Sequence, residues 1–520
     1  MNKQSHHQRG APIMKQGVLP FQYQQENGFP CMTALSGLAT YLELIHVSGL
    51  KSSIESEVGL RENGQGWTDS QIVNSLILLN LAGGESVSDL DILDKDAGFC
   101  RVLREMETYG MTRRERRELK GRWRVERRRS VPSESAVFRY LERFHNEDEE
   151  AKREVHRAYI PAPNEALEGL GKVNADLVGF VQSRSPHREA TLDMDATLVE
   201  THKQESLYSY KKFRAYQPLT TYWAEADLVV HSEFRDGNVP AGHQQLRVLT
   251  EALGHLPAGV EKVMLRSDTA GYQRELLRYC AEGRDERFGV IEFAVGVDVT
   301  TEFRRAVSEV AEQHWHTLYH KVGEHLVDTG QQWAEVNFVP NWIGHSKNSP
   351  EYRFIAVREQ LKEQPLTGMD RQLELPFPAM RMPNGGWHKV FGVVTNRDLP
   401  GDEVIRWSRQ RCGKGEEVHG VLKSDLAGGR MPSGLFGANA AWWAIVALAF
   451  NLNSAMKRLV LGGQWVSKRL KALRFALIVL PGRVVRHARR LVIRLAGEHP
   501  SCELLVRARR TIAALVANPP

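Results

Sequence analysis

The residues best placed to do chemistry are acids standing at the ends of apolar runs. In Leu192-Asp193-Met194-Asp195-Ala196-Thr197 two carboxylates lie two positions apart, so a strand would project both to one face and the apolar pair Leu192 and Met194 to the other. Burying them is costly unless hydrogen bonds or a cation offset the lost hydration, so the run fits either a metal site or a strand end that meets solvent. Asp268 follows the apolar run Val263-Met264-Leu265 and precedes Thr-Ala-Gly. That is the strand edge where α/β sheets commonly hold their sites, and also an ordinary place for a helix N-cap. Glu416, His419 and Lys423 fall at i, i+3 and i+7, one helix face that could aim a carboxylate and a cation at the same place. Three separated acids suffice for Mg2+, which takes a few carboxylates and completes its shell with waters and phosphate oxygens.

Cationic segments form the second theme. Residues 112–129, TRRERRELKGRWRVERRR, offer Arg127 and Arg128 among others for phosphate contact, or else a solvated face held by Glu/Arg pairs. Lys203, Lys211, Lys212 and Arg214 sit among three tyrosines, a mix suited to a DNA backbone or to a plain hairpin with solvated lysines. From Lys468 to Arg494 basic residues alternate with Leu, Val and Ile, which reads as basic amphipathic helices for DNA or a second copy, for packing on the core, or for an anionic membrane surface. His314, His316, His320 and His345 lack the paired spacing of a zinc site and read as structural or surface residues.

The composition bounds these readings. The chain has 520 residues, 42% hydrophobic and 25% charged, the balance of a soluble globular protein of two or three domains. Its net charge of +6 averages acidic patches with dense arginine runs, and local basic surfaces suggest a polyanionic partner. Five widely spaced cysteines without a CxxC pair suit reduced thiols, and the polar N-terminus has no apolar signal segment, so a cytoplasmic location is expected. The uncharged stretch 435–453 has the length of a membrane span, but Asn439, Asn451 and Asn453 within it make a buried core helix the expectation, with no membrane partner.

The elements that must position the acids follow from periodicity. A helical N-terminal region occupies 67–106 and continues past the basic connector. From 190 the pattern turns to alternating, β-branched sequence and gives the order βββαβαβ through 297, with Asp195 on the first strand and Asp268 ending the fourth. The runs QWAEVNFVP, YRFIAVREQ and GWHKVFGVVTN make 301–395 a mostly β insertion, and 402–425 returns to helix despite Gly413 and Gly415.

The segments LDMDATLVETHK, YSYKKFRAYQPLTTYWAE, HSEFRDGNVPAG and LRSDTAGYQRELLRYC closely resemble bacterial insertion-sequence transposases of the DDE type, in the group with a β insertion before the last acid. The likeness extends to GWTDSQIVNSLILLNLAGG near the N-terminus. It implies an α/β fold with an RNase H-like catalytic core. The layout would be a helical N-terminal domain at 1–160 for binding DNA ends, a core in two parts at 161–300 and 396–455, the insertion at 301–395, and a basic helical C-terminal region at 456–520. It also implies Asp195, rather than Asp193, as the first catalytic and metal-binding acid, Asp268 as the second and Glu416 as the third.

The wider signature of Tyr, Arg, Glu and Lys fits Glu416 and Lys423. Its first half departs, since Cys412 stands where Arg belongs, Arg411 is one place early, and Trp407 or Arg409 occupies the Tyr region, which leaves Glu417 a competitor. Lys423, Arg409 and Arg411 would contact phosphate. By the same resemblance the chain would use Mg2+, with Mn2+ as a substitute, to cut and transfer DNA strands at terminal inverted repeats. It would act as a homodimer or higher oligomer, near the bacterial nucleoid. The other classes are a transposase-derived DNA-binding protein that no longer cuts and an RNase H-like nuclease or resolvase. Retention of Asp195 and Asp268 and the large N-terminal region favour the transposase.

Overall fold

In the computed structural model, which describes residues 31–61, 64–154, 156–340, 342, 352–361, 379–488 and 490–517, a ten-stranded mixed sheet runs through the centre of the molecule. Its strands are β1 (Glu189–Ala196), β2 (Leu219–Trp223), β3 (Leu228–Glu233), β4 (Lys262–Ser267), β5 (Glu292–Val297), β6 (His316–Val322), β7 (His325–Val336), β8 (Arg353–Gln360) and β9 (Trp387–Thr395), with the short strand Ala379–Arg381 paired to β9. The spatial order is β3-β2-β1-β4-β5-β9-β8-β7-β6. β1, β4 and β5 are mutually parallel, and β2 runs antiparallel to β1. Helices Gln245–His255 and Arg274–Ala281 lie between β3 and β4 and between β4 and β5. The chain therefore passes through β, β, β, α, β, α, β from 189 to 297.

β1 lies near the middle of this sheet, and Leu192 and Met194 on it are fully buried. The β-rich segment after 301 is not a separate layer. β9 pairs antiparallel with β5, from Gly392 opposite Val297 to Thr395 opposite Ala294, so the segment extends the same sheet outward. An open β5 edge would leave a row of unpaired backbone groups, and β9 satisfies them.

The apolar stretch becomes helix Phe436–Ala455, in which every residue except Ala444 is buried. It is long and apolar enough to cross a membrane, and 83% of that apolar window lies inside the protein. It packs on helices Glu165–Arg184 and Asp69–Ala82 and on β3, joining the N-terminal helices to the sheet. Its asparagines are bonded within this interior. Asn451 accepts from Val229 N–H at 2.8 Å and donates to Asn174 Oδ1 at 2.8 Å, while Asn453 accepts from Tyr41 OH at 2.9 Å. Each polar group is thereby paired where water is absent.

Two expectations about elements change. Residues 402–425 divide into helix Gly401–Arg409 and helix Lys414–Gly420, the second running on as a π-helical turn at Val421–Asp425, because Gly413 adopts φ +78°, a left-handed conformation that interrupts the helix. The C-terminal region is only partly helical. Strands β10 (Gly482–His487) and β11 (Arg490–Arg494) form an antiparallel hairpin that pairs with the two-residue strand Met32–Thr33, ahead of helix Ser501–Ala517. The β-branched residues Val484, Val485, Val492 and Ile493 favour strands, and this prevails over the helical reading that arginine density suggests. Arg489 and His345 lie outside the described residues. None of the five cysteines is in a disulfide.

Candidate active site

The parallel register of β1 and β4 builds the site. Asp193 stands opposite Arg266 and Met194 opposite Ser267, so one step further Asp195 and Asp268 end adjacent strands side by side on one face. Asp268 then caps the following turn, accepting from Ala270 N–H at 3.0 Å. This turn lies against Gly296 of β5, where a Cβ atom would come within 3.0 Å of Thr269 N, so the close approach needs glycine. Burial raises the Asp268 pKa, and the neighbouring Asp195 charge raises it further. Burial pushes Asp195 in the same direction, but His419 and Arg411 outweigh it and the net shift is downward. Arg411 Nη1 is 3.3 Å and His419 Nε2 3.4 Å from Asp195 Oδ2.

Asp193, two residues earlier, is engaged differently. Arg266 donates to its two carboxylate oxygens at 2.6 and 2.8 Å, and both side chains are only 4% exposed. The remaining Arg266 nitrogen donates to Trp407 O at 2.9 Å and Gln410 Oε1 at 3.2 Å. Its guanidinium lies 5.3 Å from the Trp407 ring centre, and Arg397 lies 4.0 Å from the same ring. This buried pair ties the two acid-bearing strands to helix Gly401–Arg409, and so it excludes the surface role that the sequence left open for Asp193. The signal was present in Val-Met-Leu-Arg-Ser-Asp, where an arginine interrupts an apolar strand on the face that Asp193 occupies.

Helix Lys414–Gly420 faces the acids. A Cβ on Gly415 would lie 3.4 Å from Asp195 Oδ2, so backbone passes directly over that carboxylate. His419, one turn on, touches Asp195, and Lys423 follows on the same side, donating to Leu198 O at 3.4 Å. Burial lowers the Lys423 pKa, Asp195 opposes that and Lys211 reinforces it, so Lys211 and Lys423 share the acids' surroundings. Glu416 is exposed on this helix, and among the described residues no hydrogen bond or ion pair ties it to Asp195 or Asp268. Glu417 turns away. It is 3.5 Å from Lys414 Nζ and lines a small cavity with Asp227 and Lys457, on the opposite side of the helix. Among the described residues no three His, Cys, Asp or Glu side chains converge closely enough to hold a metal ion.

The other cations named from sequence are dispersed. Arg409 is half-buried and donates to Gln331 Oε1 of β7 at 2.7 Å, so it braces the sheet extension and does not face the acids. Lys211 and Lys212 are exposed in the connection between β1 and β2, where Lys212 takes φ +66°. Arg127 is bound to Glu107 through two bonds of 2.8 and 2.6 Å and is 14% exposed, so its charge is already spent within the protein. Arg128 beside it is exposed. The paired carboxylate stands twenty residues from Arg127 in sequence, which is why charge density alone read it as free. His314, His316 and His320 are exposed around β6.

Comparison with known proteins was made with this geometry in view. No curated protein sequence matches the chain. Among solved structures, the cryo-EM structure of a piggyBac transposase synaptic complex with hairpin DNA is similar at a TM-score of 0.39 and 10% identity, covering 92% of this chain and 80% of that one. No residue role is transferred from it. The family described as "Transposase DDE domain group 1" matches residues 32–517. Spanning nearly the whole length, from the first described strand to the last helix, that match makes this chain a member of the DDE transposase domain family, group 1.

Proposed function

We propose that the chain is a transposase that cuts DNA at the terminal inverted repeats of a bacterial insertion sequence and transfers the freed strand, with Asp195, Asp268 and Glu416 as its acids. The observation that carries this reading is the juxtaposition of Asp195 and Asp268 at the ends of adjacent parallel strands, beneath helix Lys414–Gly420, with Arg411 and His419 against Asp195 and Lys423 nearby. The order β3-β2-β1-β4-β5, with β2 alone reversed against its neighbour in the first pair, supports an RNase H-like core.

The donor set fits a divalent cation. Two hard carboxylates side by side, one held protonated more readily by the charge of the other, are relieved when a cation lies between them. Asp195 and Asp268 would hold Mg2+, or Mn2+ in its place, with Glu416 completing the protein's share from the facing helix. Bound there, the ion would supply Lewis-acid activation and neutralise charge on the phosphoryl group. The chain's own residues do the positioning. Lys423 and Arg411 place positive charge beside the scissile phosphate, and Lys211 extends that surface along the strand. The Asp193–Arg266–Trp407 contact fixes the spacing between acid strands and the following helices. In the absence of an ion, Arg411 and His419 hold the Asp195 carboxylate. DNA is the proposed partner, bound by a homodimer or higher oligomer that brings two ends together.

Incubating terminal-repeat DNA with Mg2+ and either the native chain or Asp268→Asn tests the proposal. Cutting by the native chain alone is expected, and equal cutting by both sinks the assignment. Glu416→Gln is expected to abolish cutting while Glu417→Gln retains it, because Glu417 faces Lys414 and the Asp227 cavity.

A further inference from the structure

Away from the acids, a cleft of about 1010 Å³ opens in the N-terminal segment, and none of the proposed catalytic residues lines it. Six arginines contribute to its wall, with Glu126 the single acid among its lining residues. Three of the six are committed elsewhere. Arg127 is held by Glu107, Arg129 by Asp91 and Asp94, and Arg104 by Ser130 Oγ and a backbone oxygen. The other three have no carboxylate partner among the described residues. Arg139 donates only to the Ser135 carbonyl, Arg128 is exposed, and the Nε of Arg61 is buried without an acceptor. Arg143 and Arg122 add like charge around Arg61, which Asp69 opposes.

The same wall is apolar at its centre. Trp123 is half-exposed and is held edge-on by the buried Trp67 at 5.1 Å and 85°, and Val125 beside it is 78% exposed. Free anions or duplex phosphates would gain nothing from an aromatic face, since a duplex keeps its bases stacked inside. An unpaired strand presents both a phosphate chain and open base faces, and arginines interleaved with an aromatic wall suit that combination. The volume is at the upper end for small-molecule clefts, more than one nucleotide requires.

We infer that this cleft is a binding site for single-stranded DNA, with bases stacked on Trp123 and phosphates on Arg61, Arg128 and Arg139. It needs neither the acids nor a metal ion, so it stands or falls independently of the cutting reaction. The test is fluorescence anisotropy of the full chain in EDTA with a labelled oligothymidylate of about ten nucleotides, and with a blunt duplex as comparison. Arg128→Glu is expected to weaken oligothymidylate binding about tenfold or more and to flatten its salt dependence. Trp123→Ala is expected to weaken it at least about fivefold while leaving the duplex unchanged, and Trp123→Phe, which keeps an aromatic face, to bind close to the native chain. Should Trp123→Ala fail to fold by circular dichroism, the Arg128→Glu and Trp123→Phe results decide. Native affinity in Arg128→Glu, equal weakening of duplex and single strand in Trp123→Ala, or no binding by the native chain overturns the inference. Asp268→Asn should bind the oligonucleotide as the native chain does, which separates this site from the proposed active site.

Discussion

Asp195 and Asp268 carry opposite electrostatic histories although they are neighbours, and substitution should expose the difference. The Asp268 pKa stands above its unfolded value, so its ionised form weakens the fold at neutral pH, and this penalty fades as pH falls through the raised value. Without metal, Asp268→Asn is therefore expected to melt higher than the native chain at pH 7.5, with the gap closing toward pH 4. The Asp195 pKa is lowered by His419 and Arg411, so its contribution is present above the unfolded pKa and is lost as pH falls through the folded one. Asp195→Asn should melt lower at pH 7.5, again with the difference shrinking in acid. Mg2+ should raise the native melting temperature, since a ligand bound only to the folded state stabilises it, and should lose that effect in both variants. Differential scanning fluorimetry across pH, with and without Mg2+, reads all of these.

At the scale of elements, two glycines in helices predict opposite outcomes. In Gly415→Ala the new methyl meets only Asp195 Oδ2, at 3.4 Å, while alanine favours helix by about 0.5–1 kcal/mol over glycine. Stability measured by urea titration should hold or rise, while cutting falls because the carboxylate is crowded. In Gly437→Ala a Cβ would meet Phe144 O at 2.3 Å and the His145 Cα at 2.4 Å, so the buried helix must back away from a neighbouring backbone. A loss of about 2 kcal/mol or more is expected in the same titration.

How much of this could be read from sequence depended on whether the deciding partner was local. β1 was legible because apolar and acidic residues alternate at its end, and β4 because its apolar run stops just before Asp268 and a Thr-Ala-Gly turn. β10 and β11 were misread because five arginines in 482–494 drew attention from the β-branched residues between them, and because the pairing with Met32–Thr33 is distant in sequence. Arg409 and Arg127 were read as available to DNA, yet Gln331 and Glu107 engage them from other elements. Asp193 was set aside in favour of Asp195, and its buried pairing with Arg266 could be seen only from the strand register. That β9 would extend the main sheet was invisible, since pairing to β5 is a property of two distant edges.

For the molecule as a whole, helix Phe436–Ala455 is the element through which N-terminal helices and sheet share one core. Asn451 bonds to both, through Asn174 and Val229. Asn451→Leu would strand the Val229 N–H and the Asn174 Oδ1 acceptor in an apolar interior, and a loss of about 2 kcal/mol or more is expected. Calorimetry should show native and variant each unfolding in a single transition. Two resolved transitions in the variant would mean that the helix does not couple the two parts.

The extension of the sheet by β9 has a consequence for synthesis. A nascent chain holding β1 to β5 already carries Asp195 and Asp268, but β9 must return to the β5 edge before helix Lys414–Gly420 can be laid over them. Helix Asp69–Ala82 in turn lacks its main packing partner until residue 455 has left the ribosome, and helix Leu38–Val47 lacks helix Ser501–Ala517 for longer still. Nearly the entire polypeptide must therefore be made before any of it can cut DNA, and fragments released early should be catalytically inert, with exposed apolar surface that marks them for degradation.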